Sequence, residues 1–137
     1  AHAHFSLGAT LLTSGEAEAS IPHLELARRL SPRDYLLGSM MGRQAHAHLL
    51  MKQYDQAAEW GKRSVEEDGA WLPNYIGYMS ALDHLGRRDE AREIYESMRA
   101  IKQDISIAYY RQRGPMTNQS DIDLTVEGLR KAGLPEQ

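Results

Sequence analysis

Histidine is the residue type in this sequence that most directly suggests chemistry, because imidazole binds metal ions and exchanges protons near neutral pH. Six histidines are present, and four of them lie in two Ala-His-Ala-His strings that contain His2 and His4, and His46 and His48. Residues two apart on a helix point to different faces, whereas a chelating pair on one helix needs a spacing of four. The spacing therefore predicts no metal site, and no residue pattern indicates a cofactor.

The carboxylates offer no better case for catalysis. Asp83 directly precedes His84, and residues 66–68 form an acidic run. On predicted helices, these are the charges of a solvated face or of a helix end. The sequence has no glycine-rich phosphate loop and no nucleophile elbow. We therefore predict that this chain is not itself an enzyme.

Composition narrows the class of protein further. The chain has 137 residues, no cysteine and a formal net charge of −3, with an isoelectric point near 6.1. Without cysteine there are no disulfides or thiolate metal sites, and this fits a reducing compartment, so we expect a cytoplasmic protein. The acidic balance argues against a broad nucleic-acid surface, and no apolar run approaches the ~20 residues of a membrane span.

The first residues already read as helix and include no initiator Met or basic leader, so we expect a piece of a longer protein.

A segment that recurs three times is the main organising feature of the chain. Similar sequences occupy residues 15–34, 52–69 and 86–104. The three copies share a small residue at one aligned position, which is Ser20, Ala57 and Ala91, and the steps between these residues are 37 and 34. A period in this range is typical of stacked helical hairpins, each too small to bury its own apolar face. We therefore predict a binding surface built from repeated hairpins.

Apolar periodicity and helix punctuation predict the elements that must position this surface. We expect three hairpins at about residues 1–34, 35–70 and 71–104, followed by a C-terminal capping segment at 105–137. The predicted helices occupy residues 2–14, 17–30, 35–51 with Asp34 as cap, 54–67, 71–85, 88–101, a short stretch within 105–113, and a last helix that starts at Ser120 or Asp121 and ends at Gly133. Ile122, Val126 and Leu129 of the last helix are expected to pack on the sixth helix and cover its apolar face.

The repeats resemble the tetratricopeptide repeat family. That family has an L-G pair and a large residue in the first helix, a tight turn, and a second helix built on Ala, a large residue, Ala and then Pro. The matching residues, within about 1–104, are Leu7, Gly8, Leu11, Gly15, Leu24, Ala27, Pro32, Ala45, Tyr54, Ala57, Ala58, Tyr75, Leu82, Gly86, Ala91 and Tyr95. Departures from the usual pattern are Ser20, Gly61, Ser64, Gly69, Met79 and Met98. The resemblance implies an all-α right-handed superhelix of three hairpins with C-terminal capping helices. It also implies that the aligned small residues are core and that the chain is a non-catalytic protein-binding scaffold.

The resemblance further implies where a partner would bind, because in this family the first helix of each hairpin lines a concave groove. Carried over by position, the groove residues are His2, Phe5, Ala9, Leu12, Thr13, Ser39, Gly42, Arg43, His46, Leu49, Leu50, Ile76, Ser80, Asp83 and His84. Family members that clamp the C-terminal carboxylate of a chaperone use Lys, Asn and Arg in this groove. Here Phe5 and Ala9 stand in place of Lys and Asn, and only Arg43 is nearby. An apolar peptide, a helix or a neighbouring domain of the same protein is therefore the expected partner.

Two alternatives remain open from the sequence. The ending LTVEGLRKAGLPE, with LSPRD in the first repeat, is similar to the C-terminal repeat region of some bacterial multidomain proteins that carry an upstream class III adenylate cyclase or winged-helix domain. That similarity implies a regulatory region in signalling, whose catalytic or DNA-binding domain is absent from this chain. The other alternative is a homo-oligomerisation module, because Leu7 and Leu11 lie on a first helix with no preceding repeat to cover them.

Overall fold

The chain folds as an all-α protein. The computed structural model describes residues 2–34, 36–67, 72–102, 104–114 and 116–137, with the backbone alone at 72 and 73. No residue within those ranges lies in a strand, which confirms the prediction of an all-α protein. The helices are α1 (His2–Thr13), α2 (Ala17–Leu30), α3 (Leu37–Leu50), α4 (Tyr54–Glu66), α5 (Leu72–His84), α6 (Arg88–Ile101), α7 (Ile107–Arg113) and α8 (Gln119–Lys131).

Helix boundaries agree with the predicted ones to within about two residues wherever both are described. The predicted end of the fourth helix at 68–69 and the predicted start of the fifth at Trp71 lie outside the described residues. Consecutive helices from α1 to α6 pack on one another, and α3 also packs on α5. The chain therefore runs back and forth as a series of neighbouring helices, with α5 near the centre.

Two predicted helix caps are wrong. Asp34 does not cap α3; its carboxylate accepts a hydrogen bond from the Leu36 backbone N–H at 2.8 Å, within the turn that leads to the helix. Asn118, rather than Ser120 or Asp121, caps α8, because its side chain accepts from the Asp121 backbone N–H at 3.2 Å. Asn is as good a cap as Ser or Asp, so α8 starts slightly earlier and both of the predicted residues lie inside its first turn.

The turns that end α1, α3 and α5 share one geometry. Each contains one residue with positive φ: Gly15 at 91°, Lys52 at 61° and Gly86 at 79°. Just past it, a backbone N–H donates to a carbonyl five residues earlier, in the pairs Glu16–Leu11, Gln53–His48 and Arg87–Leu82, at 2.8–2.9 Å. These bonds satisfy carbonyls at the helix end that have no partner within the helix. Each of these turn residues precedes the aligned small residue of its segment by five positions.

The aligned small residues are core, as predicted. Ser20, Ala57 and Ala91 have no exposed surface. The same tight fit occurs across the first helix pair, where a Cβ placed on Gly8 would lie 2.9 Å from Cγ of Leu24. Small side chains at these positions let neighbouring helices approach closely enough for the larger ones to interlock.

The C-terminal segment, defined as residues 105–137, does not pack where the sequence predicted. Its helix α8 lies against α5 and also touches α3 and α7. The prediction that Ile122, Val126 and Leu129 cover α6 is therefore wrong. α6 is charged around most of its surface, whereas every residue at 76–83 of α5 is buried. A helix that is apolar or small on all sides needs neighbours on all sides, and α8 supplies the missing one.

Both ends of the C-terminal segment are tied back by backbone hydrogen bonds. The first N–H groups of α7, those of Ile107 and Ala108, donate to the carbonyls of Pro135 and Glu136, each at 2.9 Å. The Ser106 side chain caps the same helix by accepting from the Tyr109 N–H at 3.0 Å. These bonds satisfy the helix start and fix the end of the chain beside it.

Candidate functional site

The C-terminal segment covers part of the surface that the sequence predicted as a groove. We call the surface that α1, α3 and α5 present to this segment the inner face. Leu12 clusters with Met116 in the loop before α8, and Leu49 and Ile76 belong to the same core cluster as Val126 and Leu129 of α8. These predicted groove residues contact the protein's own chain in this structure. Their role in binding a partner stays a prediction.

Polar contacts fix α8 on the inner face as well as apolar ones. On α5, the Ser80 hydroxyl donates to the Thr125 carbonyl at 3.0 Å, and His84 Nε2 bonds to the Leu124 carbonyl at 3.0 Å. On α3, His46 Nε2 lies 3.2 Å from Thr125 Oγ1. Ser80 and His84 are one helical turn apart and therefore lie on the same side of α5. Together these bonds fix the position of α8 along α5 and its rotation about its own axis.

A glycine permits the close crossing of α8 over α5. A Cβ placed on Gly128 would lie 2.7 Å from both the Cα atom and the carbonyl oxygen of Ser80, and would also overlap the Ser80 hydroxyl. Two of these atoms are backbone and cannot rotate away. Gly128 therefore determines how near the two helix axes come, at the point where the Ser80 hydrogen bond is made.

The loop before α8 reaches the first helix pair. The backbone N–H and the hydroxyl of Thr117 both donate to the carbonyl of Thr13, at 3.0 and 2.8 Å. The Asn118 side chain packs against Gly15, where a Cβ would lie 3.0 Å from the amide nitrogen. The C-terminal segment thus extends from the third helix pair to the end of α1.

His46 is a buried, neutral histidine. The Thr125 hydroxyl donates its single proton to the Asp121 carbonyl at 3.0 Å, so it accepts from His46 and the imidazole proton is on Nε2. Burial, with a smaller contribution from the Arg43 charge, lowers the pKa of His46 to about 3. The side chain therefore acts as a fixed hydrogen-bond donor across the physiological pH range.

His84 is held in orientation from two directions. Its ring stacks on Tyr54 of α4 with centroids 4.7 Å apart and planes 9° from parallel. Because a carbonyl can only accept, Nε2 carries the proton that is donated to Leu124. The stack and the hydrogen bond place a rigid donor at the edge of the inner face.

Several buried polar atoms near this interface lack a hydrogen-bond partner among the described residues. They are both carboxylate oxygens of Asp83 and Oδ2 of Asp121. Burial raises the pKa of both carboxyls and raises the pKa of Tyr110 to about 12. The raised pKa of each carboxyl means that its ionised form is disfavoured in this buried environment.

The remaining predicted groove residues lie outside this contact or at its margin. Phe5, Ala9, Thr13, Ser39, Arg43 and Leu50 are partly buried, and Gly42 is buried against α4 and α5, where a Cβ would lie 3.0 Å from Ser64 Oγ. His2 is exposed and hydrogen bonds to Asp34 at 2.8 Å. Burial lowers the pKa of Arg43. The structure thus brings together the predicted residues of α5 and the middle of α3, while those near the start of α1 stay apart from α8.

Sequence reasoning missed Tyr110, Thr125 and Gly128. Tyr110 and Thr125 carry no motif that marks them in advance. Gly128 did carry a signal, because a glycine inside a helical pattern costs about 1 kcal/mol relative to alanine and usually has a packing reason. Its position four residues after Leu124 and one before the buried Leu129 marks the side of α8 that faces the protein.

No family model matches this sequence. Within the described ranges, His, Asp and Glu side chains form no group of three or more that is arranged to hold a metal ion. The helices in the same ranges are all too short or too polar to cross a membrane.

Proposed function

We propose that this protein is a non-catalytic protein–protein interaction module of the tetratricopeptide-repeat type, and that its inner face binds an amphipathic helix. The partner is a helix of another protein or of a neighbouring domain of the same protein. Recognition uses a preformed apolar surface with a few fixed hydrogen-bond donors, the usual design of helix-in-groove binding.

The repeated turn geometry supports the repeat assignment. The positive-φ residues Gly15, Lys52 and Gly86 recur at the same 37- and 34-residue steps as the aligned small residues. Lys52 is the informative case, since a non-glycine residue adopts this conformation only where the surrounding structure requires it. A common turn in three successive segments is expected when each segment is one copy of the same hairpin.

The observation that carries the proposal is the way the inner face holds α8. Ser80, His84 and His46 donate to two successive residues of one helix, while Leu49 and Ile76 share its apolar cluster. The inner face therefore fixes both the position of a bound helix and its rotation about its own axis. The resident helix belongs to the same chain, so an external helix has to compete with it.

A labelled peptide that covers residues 118–137 tests the proposal directly. In the wild-type chain, α8 is tethered beside its site at a high effective concentration and excludes the peptide. In a Gly128→Leu variant, the clash with Ser80 removes the resident helix, and we expect the wild-type peptide to bind at least about tenfold more tightly, as measured by fluorescence anisotropy.

Two controls make the result specific. A Glu127→Ala chain changes the exposed side of α8 and should exclude the peptide as the wild type does. Adding His84→Ala to the Gly128→Leu chain should weaken peptide binding again, because it removes the donor to the Leu124 position. Equal peptide affinity for the wild-type and Gly128→Leu chains, with both folded by circular dichroism, would rule out a helix-binding inner face.

A further inference from the structure

A second candidate surface is built around Trp60 of α4, which a side chain of α2 reaches. The guanidinium carbon of Arg28, from α2, lies 4.1 Å from the centroid of the Trp60 ring. The guanidinium carbon of Arg63, one turn after Trp60 on α4, lies 4.3 Å from the same ring. One indole thus holds two cations that are at most about 8 Å apart.

The Arg28 side chain is oriented by a buried glutamine. Its Nε donates to Gln44 Oε1 at 3.0 Å, and Gln44 is only 1 % exposed. The amide of Gln44 in turn donates to Glu25 Oε1 at 3.4 Å. The Glu25 carboxylate therefore accepts from the Gln44 amide, and no hydrogen bond joins it to the guanidinium of Arg28. Four of the five guanidinium N–H groups of Arg28 have no hydrogen-bond acceptor among the described residues.

Arg63 also lacks a hydrogen-bond acceptor for its guanidinium group among the described residues. Within the described part of the chain it makes no ion pair or hydrogen bond, and its guanidinium lies over the Trp60 ring. Burial lowers the pKa of Arg28, and the nearby Arg63 charge acts in the same direction, although Glu25 opposes it. Arg63 is exposed, and no guanidinium nitrogen of Arg28 is among the buried atoms that lack a hydrogen-bond partner in the described part of the chain. Both guanidinium groups can therefore be reached from solvent, where the carboxylates of an acidic segment can accept hydrogen bonds from them.

We propose that Arg28, Trp60 and Arg63 form a docking site for an acidic segment of a partner protein, separate from the inner face. Carboxylates match the fork geometry that the guanidinium of Arg28 leaves open. Tryptophan and arginine are also the residues that most often dominate binding energy at protein interfaces. A nucleic acid is the less suitable polyanion, because the chain as a whole carries a net charge of −3 and would repel an extended phosphate backbone.

The test uses the full chain with α8 in place, so its outcome does not depend on the proposed function of the inner face. The probe is a short fluorescein-labelled peptide of alternating Glu and Asp, measured by fluorescence anisotropy at low salt. An Arg28→Gln/Arg63→Gln chain should bind the probe about tenfold more weakly than wild type. The matched control is Arg92→Gln/Arg99→Gln, which removes the same charge from α6, where Arg99 also lies over an aromatic ring, that of Tyr95. The control should change affinity by less than about twofold.

Nuclear magnetic resonance distinguishes binding at this site from a general effect of charge, because the chemical shifts of individual N–H groups report local contact. On addition of the peptide, the indole N–H of Trp60 and the Nε–H of Arg28 should shift, while the Gln/Asn version of the peptide should leave them unchanged. Equal losses in the two double variants would overturn the proposal, because they would mean that only net charge matters. Tighter binding of a single-stranded oligonucleotide of the same charge would overturn the choice of a protein partner.

Discussion

Replacing Gly128 by Ala tests whether α8 is packed on α5 as described. The added methyl group would lie 2.7 Å from Cα and from the carbonyl oxygen of Ser80, whereas ordinary van der Waals contact begins near 3.4 Å. The helix must therefore move away by about 0.7 Å or tilt. A shift of that size stretches the 3.0 Å hydrogen bonds made by Ser80 and His84 beyond normal length.

The expected loss of stability follows from these contacts. Two weakened hydrogen bonds account for about 2 kcal/mol, and disturbed packing around Leu129 and Val126 adds about 1 kcal/mol. Alanine favours the helix itself by about 1 kcal/mol relative to glycine, which acts in the opposite direction. The net effect is a decrease of about 2 kcal/mol in the free energy of unfolding.

Urea unfolding followed by circular dichroism measures this decrease. For a chain of this size we expect the midpoint to fall by about 1 M urea, and amide hydrogen exchange should accelerate most in α8. Glu127→Ala is the control, because Glu127 is exposed and only pairs with Lys131 at 3.2 Å; its effect should stay within about 0.5 kcal/mol. If Gly128→Ala were as stable as wild type or more so, α8 would not lie against Ser80, since alanine in an uncrowded helix stabilises it.

Two further substitutions address the polar groups at the same interface. Thr125→Val keeps the shape of the side chain but leaves the buried Nε2–H of His46 without an acceptor, so the free energy of unfolding should fall by about 1–3 kcal/mol; a Thr125→Ser variant, which keeps the hydroxyl, should recover at least half of that loss. Asp83→Asn removes a carboxyl whose pKa is raised by burial above its ordinary value of 3.8. The raised pKa means that ionisation of Asp83 opposes folding. The variant should therefore have a higher urea midpoint than wild type at about pH 7, and that advantage should disappear at about pH 3. An equal difference at both pH values would contradict a raised pKa for Asp83.

The sequence was sufficient to predict helices α1 to α6 because their ends are marked by local signals. Gly15 and Gly86 adopt positive φ in turns that terminate helices, and Pro32 follows directly after α2 and its cap residue. Local backbone preferences act within a few residues, so they can be recognised from one sequence. The same logic explains the wrong cap of α8, where Asn118 and the two predicted residues are nearly equal in capping preference.

The position of α8 could not be predicted in this way. Its apolar residues only required some apolar surface, and local periodicity does not show which helix supplies it. The choice of α5 depends on the match between Gly128 and the backbone at Ser80 and on the hydrogen bond from His84. Such complementarity involves residues 40 or more positions apart and is not visible in local periodicity. The candidate site was therefore predicted as an open surface, and its occupant was missed.

The bond between Thr117 and Thr13 has a consequence for how this protein unfolds. In an open array of repeats each unit contacts only its neighbours, so the ends fray independently and unfolding can spread stepwise. Here the two residues are 104 positions apart, and the chain between them forms a closed loop that contains α2 to α7. Melting of the first helix pair breaks the contacts to the loop before α8, so the stability of α1 is linked to that of the C-terminal segment. Closing so long a loop also raises the contact order, so folding should be slower than in a linear helical array of similar length.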